Sequence, residues 1–452
     1  MEQNSKKIVI IGSGPAGCFL AILLAKKGYK VDIYEKLSKQ EINIEISKRS
    51  YNITIYNYAK GLLIEAGLWE QLQPYFFNLK GTVTHLANTA ESVITLINQN
   101  KIDYLTITRA NFTNILLQEA TKQKLITLHY DSSLVAIKRQ KKELLLQNSK
   151  TKKTTIAYFD VLFGADGINS LVRSLLQQGQ EIQHSQKQEE WCYRQFKISS
   201  KMVERLKLEK QFEHTWTQKN TFIISHPQKD YSLSALIVFQ KTDKQNAFFA
   251  TETDIELFFT KHFPQLKPAL SEIVQSLLSS PDGSFSTIHT RPWYYKDCIT
   301  IVGDAAHGFY PFFGQGTSAA LGDSMCLIKL LDKYGTDWGK IFPLYQKARK
   351  RHMDTLGNLS KEVMQKYLRY KRADYTAIYD KLYGVLYHFF PTIFYPPLFF
   401  SLTTDPAHAD DHNKNFLRQH KIIHRFGFSL LVTVLTKIFL FYEIVKKQKI
   451  FA

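Results

Sequence analysis

Cysteine is scarce in this chain of 452 residues, and its four copies follow no functional spacing. Three of them, Cys18, Cys298 and Cys326, lie in apolar runs, where a small buried thiol is usual. The lack of a Cys-x-x-Cys pair argues against a disulfide oxidoreductase, and the absence of ligand spacing predicts no metal site. We therefore expect a cytoplasmic, disulfide-free protein.

A secretory leader and a second nucleotide-binding turn are also missing. Lys6 and Lys7 run straight into the first apolar segment, so the N-terminus does not have the pattern of a signal peptide. The pattern Gly-x-Gly-x-x-Gly occurs once, which argues against a reductase that binds two nucleotides.

Acidic residues are few for the number of bases, with 40 Asp and Glu against 59 Lys and Arg. Such an excess can indicate nucleic-acid binding, but the bases are dispersed and no nucleic-acid module is visible. The excess is concentrated in residues 347–371 and 414–449. We therefore expect no nucleic acid as a partner, and an anionic membrane surface fits the distribution better.

Long hydrophobic runs are absent until the C-terminal part of the chain. Residues 382–404 contain no charged residue, but their three prolines exclude one straight helix across a membrane. Residues 426–445 are long enough to cross a bilayer but include Lys437 and Glu443. We favour a membrane anchor that spans the bilayer or lies in its interface, and the alternative is a buried helix with a solvated basic end.

The N-terminus carries a dinucleotide-binding pattern. Residues 8–11 predict a buried parallel strand, the turn Gly-Ser-Gly-Pro-Ala-Gly follows at 12–17, and a second strand ends at Glu35. The glycines allow a tight turn and close approach of a pyrophosphate, and the acid can accept hydrogen bonds from a ribose. An acid there suits an adenosine without a 2′-phosphate, so the pattern predicts bound FAD or NAD. The alternative is a glycine-rich turn that binds nothing.

Two later segments repeat the order of strand, turn and helix. The run 159–163 enters the turn Gly-Ala-Asp-Gly at 164–167, and the run 299–302 enters Gly-Asp-Ala-Ala-His at 303–307. Pro-Phe-Phe-Gly-Gln-Gly follows at 311–316, here called the 311–316 turn. Each segment alone fits an ordinary structural turn. Together with the N-terminal pattern they predict pieces of one binding site, because helix N-termini favour anionic groups.

The three segments resemble the three signatures of the flavoprotein aromatic hydroxylases, which share the para-hydroxybenzoate hydroxylase fold. The similarity extends over nearly the whole chain. It is strongest to the kynurenine 3-monooxygenase branch, through residues 49–53, 108–112, 216–222 and 259–264 and the complete 311–316 turn. The resemblance implies an α/β fold with a Rossmann-like FAD domain, an inserted β-sheet substrate domain and a C-terminal helical region.

The same resemblance implies a division of the chain. The FAD domain comprises 1–75, 105–178 and 290–345, the substrate domain 76–104 and 179–289, the helical region that closes the pocket 346–425, and the tail 426–452. The polar stretch 177–190 is interpreted as a surface connection between domains, and strand-like alternation from 191 to 285 suits a sheet-rich substrate domain.

The family pattern implies tightly bound FAD, with NADPH or NADH as a transient reductant. Asp304 would hydrogen-bond the ribityl chain, and Arg109 would lie near the pyrophosphate or the ribityl chain. The full set implied for the cofactor is Gly12, Gly14, Ala16, Gly17, Glu35, Lys36, Arg49, Thr54, Arg109, Leu134, Asp166, Gly303, Asp304, Gly316, Thr317 and Ser318.

In this family the reduced flavin reacts with O2 to a C4a-hydroperoxide that attacks an electron-rich aromatic ring. That step needs a dry cavity, and it needs backbone donors more than a strong acid. His307 is a candidate base, but a role in supporting the turn is favoured. The residues implied for catalysis are Pro311, Phe312, Gly314, Gln315 and Gly316.

The resemblance weakens at the substrate pocket. Kynurenine monooxygenases hold an amino-acid carboxylate with an arginine, a tyrosine, an asparagine and a second tyrosine. In this chain those positions fall in turn on Thr82, Leu96, Val363 and Leu398. Lys80 is a possible substitute, although a lysine does not replace a bidentate arginine at equal affinity. Phe313 completes the expected pocket.

Three functions remain open from the sequence. The first is an FAD-dependent aromatic hydroxylase whose pocket is more apolar than that of kynurenine monooxygenase. The second is a genuine kynurenine 3-monooxygenase with a divergent carboxylate clamp. The third is a flavoprotein that does not hydroxylate, either an NADPH oxidase or a membrane-bound interaction protein.

Overall fold

The computed structural model describes residues 6–42, 51–85, 92–97, 102–218, 220–240, 249–369, 395 and 398–425. Arg49 and the tail 426–452 lie outside the described residues, as do most of residues 382–404. Helices and strands alternate along the N-terminal half, and the C-terminal part is helical.

Nineteen strands are described. In chain order they are β1 Ile8–Ile11, β2 Val31–Tyr34, β3 Asn52–Ile55, β4 Phe77–Asn78, β5 Gly81–His85, β6 Ser92–Leu96, β7 Leu105–Thr108, β8 Ile126–His129, β9 Ser132–Lys138, β10 Glu143–Asn148, β11 Thr154–Tyr158, β12 Val161–Gly164, β13 Gln183–Ile198, β14 Phe212–Gln218, β15 Thr221–Pro227, β16 Leu233–Gln240, β17 Gly283–Arg291, β18 Tyr294–Tyr295 and β19 Ile299–Ile301.

Thirteen α-helices have described bounds. They are α1 Pro15–Lys26, α2 Asn57–Glu65, α3 Trp69–Leu72, α4 Arg109–Lys122, α5 Leu171–Gln178, α6 Ser200–Arg205, α7 Glu252–His262, α8 Leu270–Ser279, α9 Asp304–His307, α10 Gly316–Tyr334, α11 Trp338–Arg369, α12 Leu398–Thr404 and α13 Ala409–Arg425.

A mostly parallel sheet of six strands carries the predicted nucleotide site. Its order is β18-β19-β12-β1-β2-β8, and only the short edge strand β18 is antiparallel to its neighbour. All four residues of β1 are buried, as expected for a strand covered on both faces. Helix α1 is also apolar and buried along most of its length. The predicted Rossmann-like α/β core is therefore confirmed.

A seven-stranded sheet has the order β17-β13-β16-β15-β14-β5-β6. One face packs on α6, α7 and α8 and forms a second hydrophobic core that includes Trp216, Phe239 and Phe259. Two three-stranded sheets complete the description, β11-β10-β9 and β3-β7-β4. The separate core supports a distinct substrate domain, and the boundaries given above remain our proposal.

Two interpretations of the sequence need correction. Residues 177–190 lie mostly at the surface, as expected, but they include regular structure, because β13 begins at Gln183 and pairs with β17 from Gln183 to Gln188. The region 191–285 is also less uniform than expected, since it contains helices α6, α7 and α8 beside its strands. The polar residues 183–188 are held in a strand by backbone pairing with β17 rather than by burial, which local composition does not reveal.

Among the described residues, no helix combines the length and the apolar character needed to cross a membrane. The segment 426–445, on which the anchor prediction rests, lies outside that part of the chain.

Candidate functional site

The three predicted turns lie side by side at one edge of the parallel sheet. Ile11 pairs with Gly164, and Gly164 pairs with Ile301, so the turns leave three adjacent strands. A Cβ placed on Gly303 would lie 3.3 Å from the Cβ of Ala16, which shows how closely the third turn approaches helix α1. The carboxyl ends of parallel strands are where such sheets bind ligands.

The glycines of the first turn have different tasks. Gly12 has a φ of +100°, and a Cβ there would lie 2.6 Å from the carbonyl oxygen of Ala165. A Cβ on Gly17 would lie 2.0 Å from the carbonyl oxygen of Gly12. A Cβ on Gly14 would meet nothing within 4 Å, and the same holds for Gly316. The fold itself therefore requires the first two glycines, whereas the last two border open space beside helix N-termini.

Glu35 lies at the end of β2, as predicted. Its Oε2 accepts hydrogen bonds from the backbone N and the Oγ of Ser13 at 3.0 Å, and its Oε1 accepts from the N of Leu37 at 3.0 Å. A carboxylate has about four acceptor positions, so capacity for a ribose hydroxyl remains. Nearby, Leu134 is buried on β9, and the side chain of Lys36 is exposed.

Asp304 and Arg109 come together although they are distant in sequence. The Asp304 side chain is accessible to solvent, yet burial among surrounding groups raises the pKa of its carboxyl, with His307 and Arg109 opposing that rise. Accessibility combined with dense surroundings places the carboxyl in an internal cleft. Arg109 begins helix α4, and its guanidinium lies 5.9 Å from the centre of the Tyr51 ring.

Asp166 has a structural task that the sequence did not show. Its Oδ2 accepts hydrogen bonds from the backbone N of Leu171 and Val172, at 2.7 and 3.1 Å, and so caps helix α5. Burial raises the pKa of this carboxyl, and its Oδ1 is buried without a hydrogen-bond partner in the described structure. Arg173, also buried, donates to the carbonyl of Ala305 at 2.9 Å and thereby ties the second turn to the third.

A buried trio of His307, Asp323 and Arg349 holds the third turn in place. The Oδ2 of Asp323 lies 2.5 Å from the Nε2 of His307 and accepts from the backbone N of Gly303 at 3.0 Å. Its Oδ1 accepts from the Nε of Arg349 at 2.8 Å. Burial alone would raise the pKa of Asp323, but His307 and Arg349 outweigh it and lower that pKa to about 2. These contacts support the structural role favoured for His307.

The 311–316 turn joins this arrangement to helix α10. Residues Pro311–Phe313 form one 3-10 turn, and Gly314 follows with a φ of +64°. A Cβ on Gly314 would lie 3.3 Å from the Cβ of the buried Thr54. Gln315 is fully buried, and both polar atoms of its amide lack partners among the described residues. The Oγ of Ser318 has the same status, and Thr317 lies between them, half-buried.

An aromatic wall faces the 311–316 turn from the seven-stranded sheet. Tyr310 and Phe312 pack against this wall, and Phe312 also packs against the core of the FAD domain. Phe285 lies 5.6 Å from Tyr310 between ring centres. The members of the wall are Trp191, Tyr193, Phe222, Val238 and Phe285, and Met364 of helix α11 packs beside them. Sequence reasoning missed them, although their alternate positions on strands were a signal that one face would be covered.

The residues predicted for the substrate pocket are not all brought together. Lys80 is exposed, and Leu96 lies on the edge strand β6 with 72% of its side chain exposed. Phe313 is buried in the core of the FAD domain, where Leu398 also packs, half-buried. Thr82 lies on β5 beside Glu213. The backbone of Val363 belongs to α11, and its side chain lies outside the described part.

A polar cluster on the same sheet was also missed. The hydroxyl of Tyr104 donates to the Oε2 of Glu213 at 2.6 Å, and the Nε2 of His226 lies 3.0 Å from that oxygen. Tyr56 stacks on Tyr104 with ring centres 5.4 Å apart. Burial raises the pKa of both tyrosines above the usual range. Since these residues come from four separate segments of the chain, no local motif could have indicated them.

A family comparison covers most of the chain. Residues 5–356 match the family model described as an FAD binding domain. A kynurenine 3-monooxygenase of Legionella pneumophila is 30% identical over 359 residues, which cover 78% of this chain and 79% of the relative. A kynurenine 3-monooxygenase of Christiangramia forsetii is 29% identical over 360 residues, covering 79% and 80%.

Solved structures resemble the fold. The tetrameric form of 2-methyl-3-hydroxypyridine-5-carboxylic acid oxygenase superposes with a TM-score of 0.67 at 19% identity, covering 81% of this chain and 93% of that one. A tetracycline destructase superposes with a TM-score of 0.66 at 19% identity, covering 90% and 98%. At such identities the likeness concerns the fold alone.

Proposed function

The chain belongs to the FAD-binding domain family and is a flavoprotein monooxygenase of the kynurenine 3-monooxygenase type, and we propose that it hydroxylates a small aromatic substrate beside the 311–316 turn. FAD is its cofactor, and NAD(P)H is the reductant typical of such enzymes. The substrate and the residues assigned to each step are parts of the proposal.

The residues at the three turns fit FAD. Gly14 and Gly316 leave open space in front of two helix N-termini, where a pyrophosphate is favoured. Glu35 would accept from the ribose, and Asp304 would accept from the ribityl chain. The unpaired amide of Gln315 and the hydroxyl of Ser318 would gain partners, since buried polar groups are normally hydrogen-bonded. When bound, the flavin supplies electron transfer from NAD(P)H and activation of O2.

The protein's own contribution would be to orient and to exclude water. The backbone of the 311–316 turn offers amide donors from Gly314 to Gly316 at the point where the turn enters α10. Phe312 packs between the FAD-domain core and the aromatic wall, where it would separate the reacting position from solvent. A water-poor cavity strengthens electrostatic interactions and prevents loss of reactive intermediates.

The single observation that carries the proposal is the position of Phe312. It connects the turn that follows the accessible carboxyl of Asp304 with a wall of aromatic side chains from another domain. An aromatic wall opposite a cofactor turn suits a flat aromatic ligand, because offset and edge-to-face ring contacts are favourable.

The identity of the substrate is a finer part of the proposal. The positions at which kynurenine monooxygenases bind a carboxylate hold Thr82 and Leu96 here, and Lys80 is exposed on the surface. We therefore favour an aromatic substrate other than kynurenine. A genuine kynurenine 3-monooxygenase with a clamp formed by Lys80 is the second candidate, and a flavoprotein that oxidises NADPH without hydroxylation is the third.

A substrate screen tests the proposal. NADPH consumption, product and peroxide would be measured with kynurenine, simple anilines and simple phenols. The expected result is stimulated NADPH consumption with an equivalent amount of hydroxylated product from a compound that lacks the amino-acid carboxylate. Product from kynurenine alone would favour the second candidate, and peroxide without product from every compound would favour the third.

A further inference from the structure

We infer that Glu213 makes the substrate pocket selective for an aromatic compound with a protonated amine in place of a carboxylate. The inference rests on the proposed function, because it takes the aromatic wall as the pocket. It names the chemical class of the substrate and a residue that selects it.

The strand register places Glu213 on the pocket side of the sheet. Trp216 belongs to the core behind the sheet, and side chains alternate along a strand, so His214 shares that rear side while Glu213 faces the other way. Phe222, a member of the aromatic wall, is paired with Thr217 on the same β14–β15 ladder. Thr217 has the same parity as Glu213, so the carboxylate and the wall share one face.

The contacts of Glu213 leave acceptor capacity. The side chain is 8% exposed, and both near groups, the hydroxyl of Tyr104 and the Nε2 of His226, approach Oε2. Oε1 takes part in neither of these two contacts. A nearly buried carboxylate with an open oxygen favours a cationic donor and disfavours a second anion, because a buried charge needs a partner.

The charge at this place is opposite to the one that the family resemblance implies. Thr82, where kynurenine monooxygenases have the arginine of the clamp, is the parallel-strand neighbour of Glu213. A positive charge that binds a carboxylate is thus absent from Thr82, and a negative charge stands beside it. Beside Thr82 an ammonium group would find an anionic partner in Glu213, whereas a carboxylate would find no cationic partner at Thr82.

The experiment compares three probes that differ in one group each. They are kynurenine, its decarboxylated amine kynuramine, and its deaminated acid 3-(2-aminobenzoyl)propanoic acid. Dissociation constants would be measured at neutral pH from the change in flavin absorbance of the oxidised holoenzyme. We expect kynuramine to bind at least about tenfold more tightly than the acid, and Glu213→Gln to remove that preference, since hydrogen bonds to charged groups are the stronger ones.

A second variant and a control make the result decisive. Thr82→Arg should shift the preference toward the acid even if Glu213→Gln fails to fold. Glu272→Gln is the matched control, because Glu272 accepts from the backbone N and the Oγ of Ser199 at 2.8 and 2.7 Å on helix α8, behind the sheet. It should leave the preference unchanged.

Two results would overturn the inference. The first is a wild-type enzyme that binds the amine no more tightly than the acid, and the second is a preference that survives Glu213→Gln or Thr82→Arg. Product analysis with the same probes is a separate readout. Tight binding of the amine with no hydroxylated product would count against the proposed function and leave the selectivity intact.

Discussion

Some glycines of the first turn are required by the fold, and others are required by the space that the cofactor needs. A side chain on Gly12 would strain the backbone and strike Ala165, so a substitution there would test folding more than binding. Gly14 has an extended conformation that any residue can adopt, and a Cβ added there would point into open space. The two positions look alike in the sequence and differ in their physical reason.

We predict that Gly14→Ala combined with Asp304→Ala yields a folded protein that no longer retains FAD. The alanine methyl would occupy space needed by the pyrophosphate, and the second change removes the accessible carboxyl in the cleft. Flavin absorbance of the purified protein, together with its far-UV spectrum, is the measurement. Gly61→Ala, on the exposed side of helix α2, is the control and should keep the flavin. Stoichiometric FAD in the double variant would show that the site is assigned wrongly.

A second residue-scale prediction concerns the buried Asp323. Asp323→Asn would leave Arg349 without its charged partner and should lower the free energy of unfolding by roughly 3 kcal/mol at neutral pH. The control is Asp332→Asn, which breaks the exposed pair with Lys27 and should change stability by less than about 1 kcal/mol. The measurement is denaturant unfolding of both variants at pH 7. Equal losses in the free energy of unfolding would contradict this role of Asp323.

The pH dependence of that effect follows from the sign of the pKa shift. The folded-state pKa of Asp323 is lowered to about 2 from an ordinary value of 3.8. Its charge therefore stabilises the fold above about pH 4, and the contribution, on the order of 2 kcal/mol, is lost as the pH falls toward 2. The difference between wild type and Asp323→Asn should shrink over that window. If the difference in stability between wild type and Asp323→Asn stays constant from pH 5 to pH 3, the charge of the Asp323 carboxylate does not cause it.

At the scale of elements, we propose that the 311–316 turn determines whether oxygen chemistry ends in product. Gly314→Ala should place a methyl group against Thr54 and displace the turn, because this glycine has a φ of +64°. We expect the variant to retain FAD and to convert much of the product into hydrogen peroxide. The ratio of hydroxylated product to NADPH consumed is the measurement.

Gly335→Ala is the matched control for that prediction. Gly335 follows helix α10 with a φ of +60°, and a Cβ there would meet nothing within 4 Å. The backbone strain of an alanine is at least as large at Gly335, where ψ is −142°, as at Gly314, where ψ is 19°, but Gly335 lies at the far end of helix α10 from the turn. If both variants lose product to the same extent, the effect comes from general destabilisation and the role of the turn is wrong.

The sequence predicted the elements whose signals are local. Residues 8–17, 159–171 and 299–307 each contain their strand, turn and helix start within a short segment, and all three form as expected. The first half of strand β13, residues 183–190, was missed because its polar residues are stabilised by pairing with β17, about 100 residues away. Glu213 and Tyr104 were missed for the same reason, since their contact spans 109 positions.

At the scale of the whole molecule, the basic excess predicts where the protein binds. The tail 426–452 lies outside the described residues, and its sequence predicts that residues 426–445 would extend about 30 Å as a helix between basic flanks. We predict that replacing Lys446, Lys447 and Lys449 with glutamate weakens sedimentation with anionic vesicles, because each basic residue contributes roughly 1 kcal/mol near such a surface.

The control for the tail variant replaces three lysines with glutamate at a different exposed site. Lys150, Lys152 and Lys153 are exposed on the loop between β10 and β11, and their replacement with glutamate should leave vesicle binding unchanged. Removing residues 426–452 should abolish vesicle binding and keep the FAD. A full-length protein that stays in the supernatant with anionic vesicles would show that the tail is not an anchor.

As a whole, we propose, the protein directs one oxygen atom from O2 into an aromatic substrate. The most direct test is turnover under 18O2 with NADPH, using the best compound from the substrate screen, followed by mass spectrometry of the product. The account predicts one atom of 18O in each hydroxylated molecule and close to one product for each NADPH consumed. Unlabelled product, or NADPH consumption that yields only labelled peroxide, would contradict it.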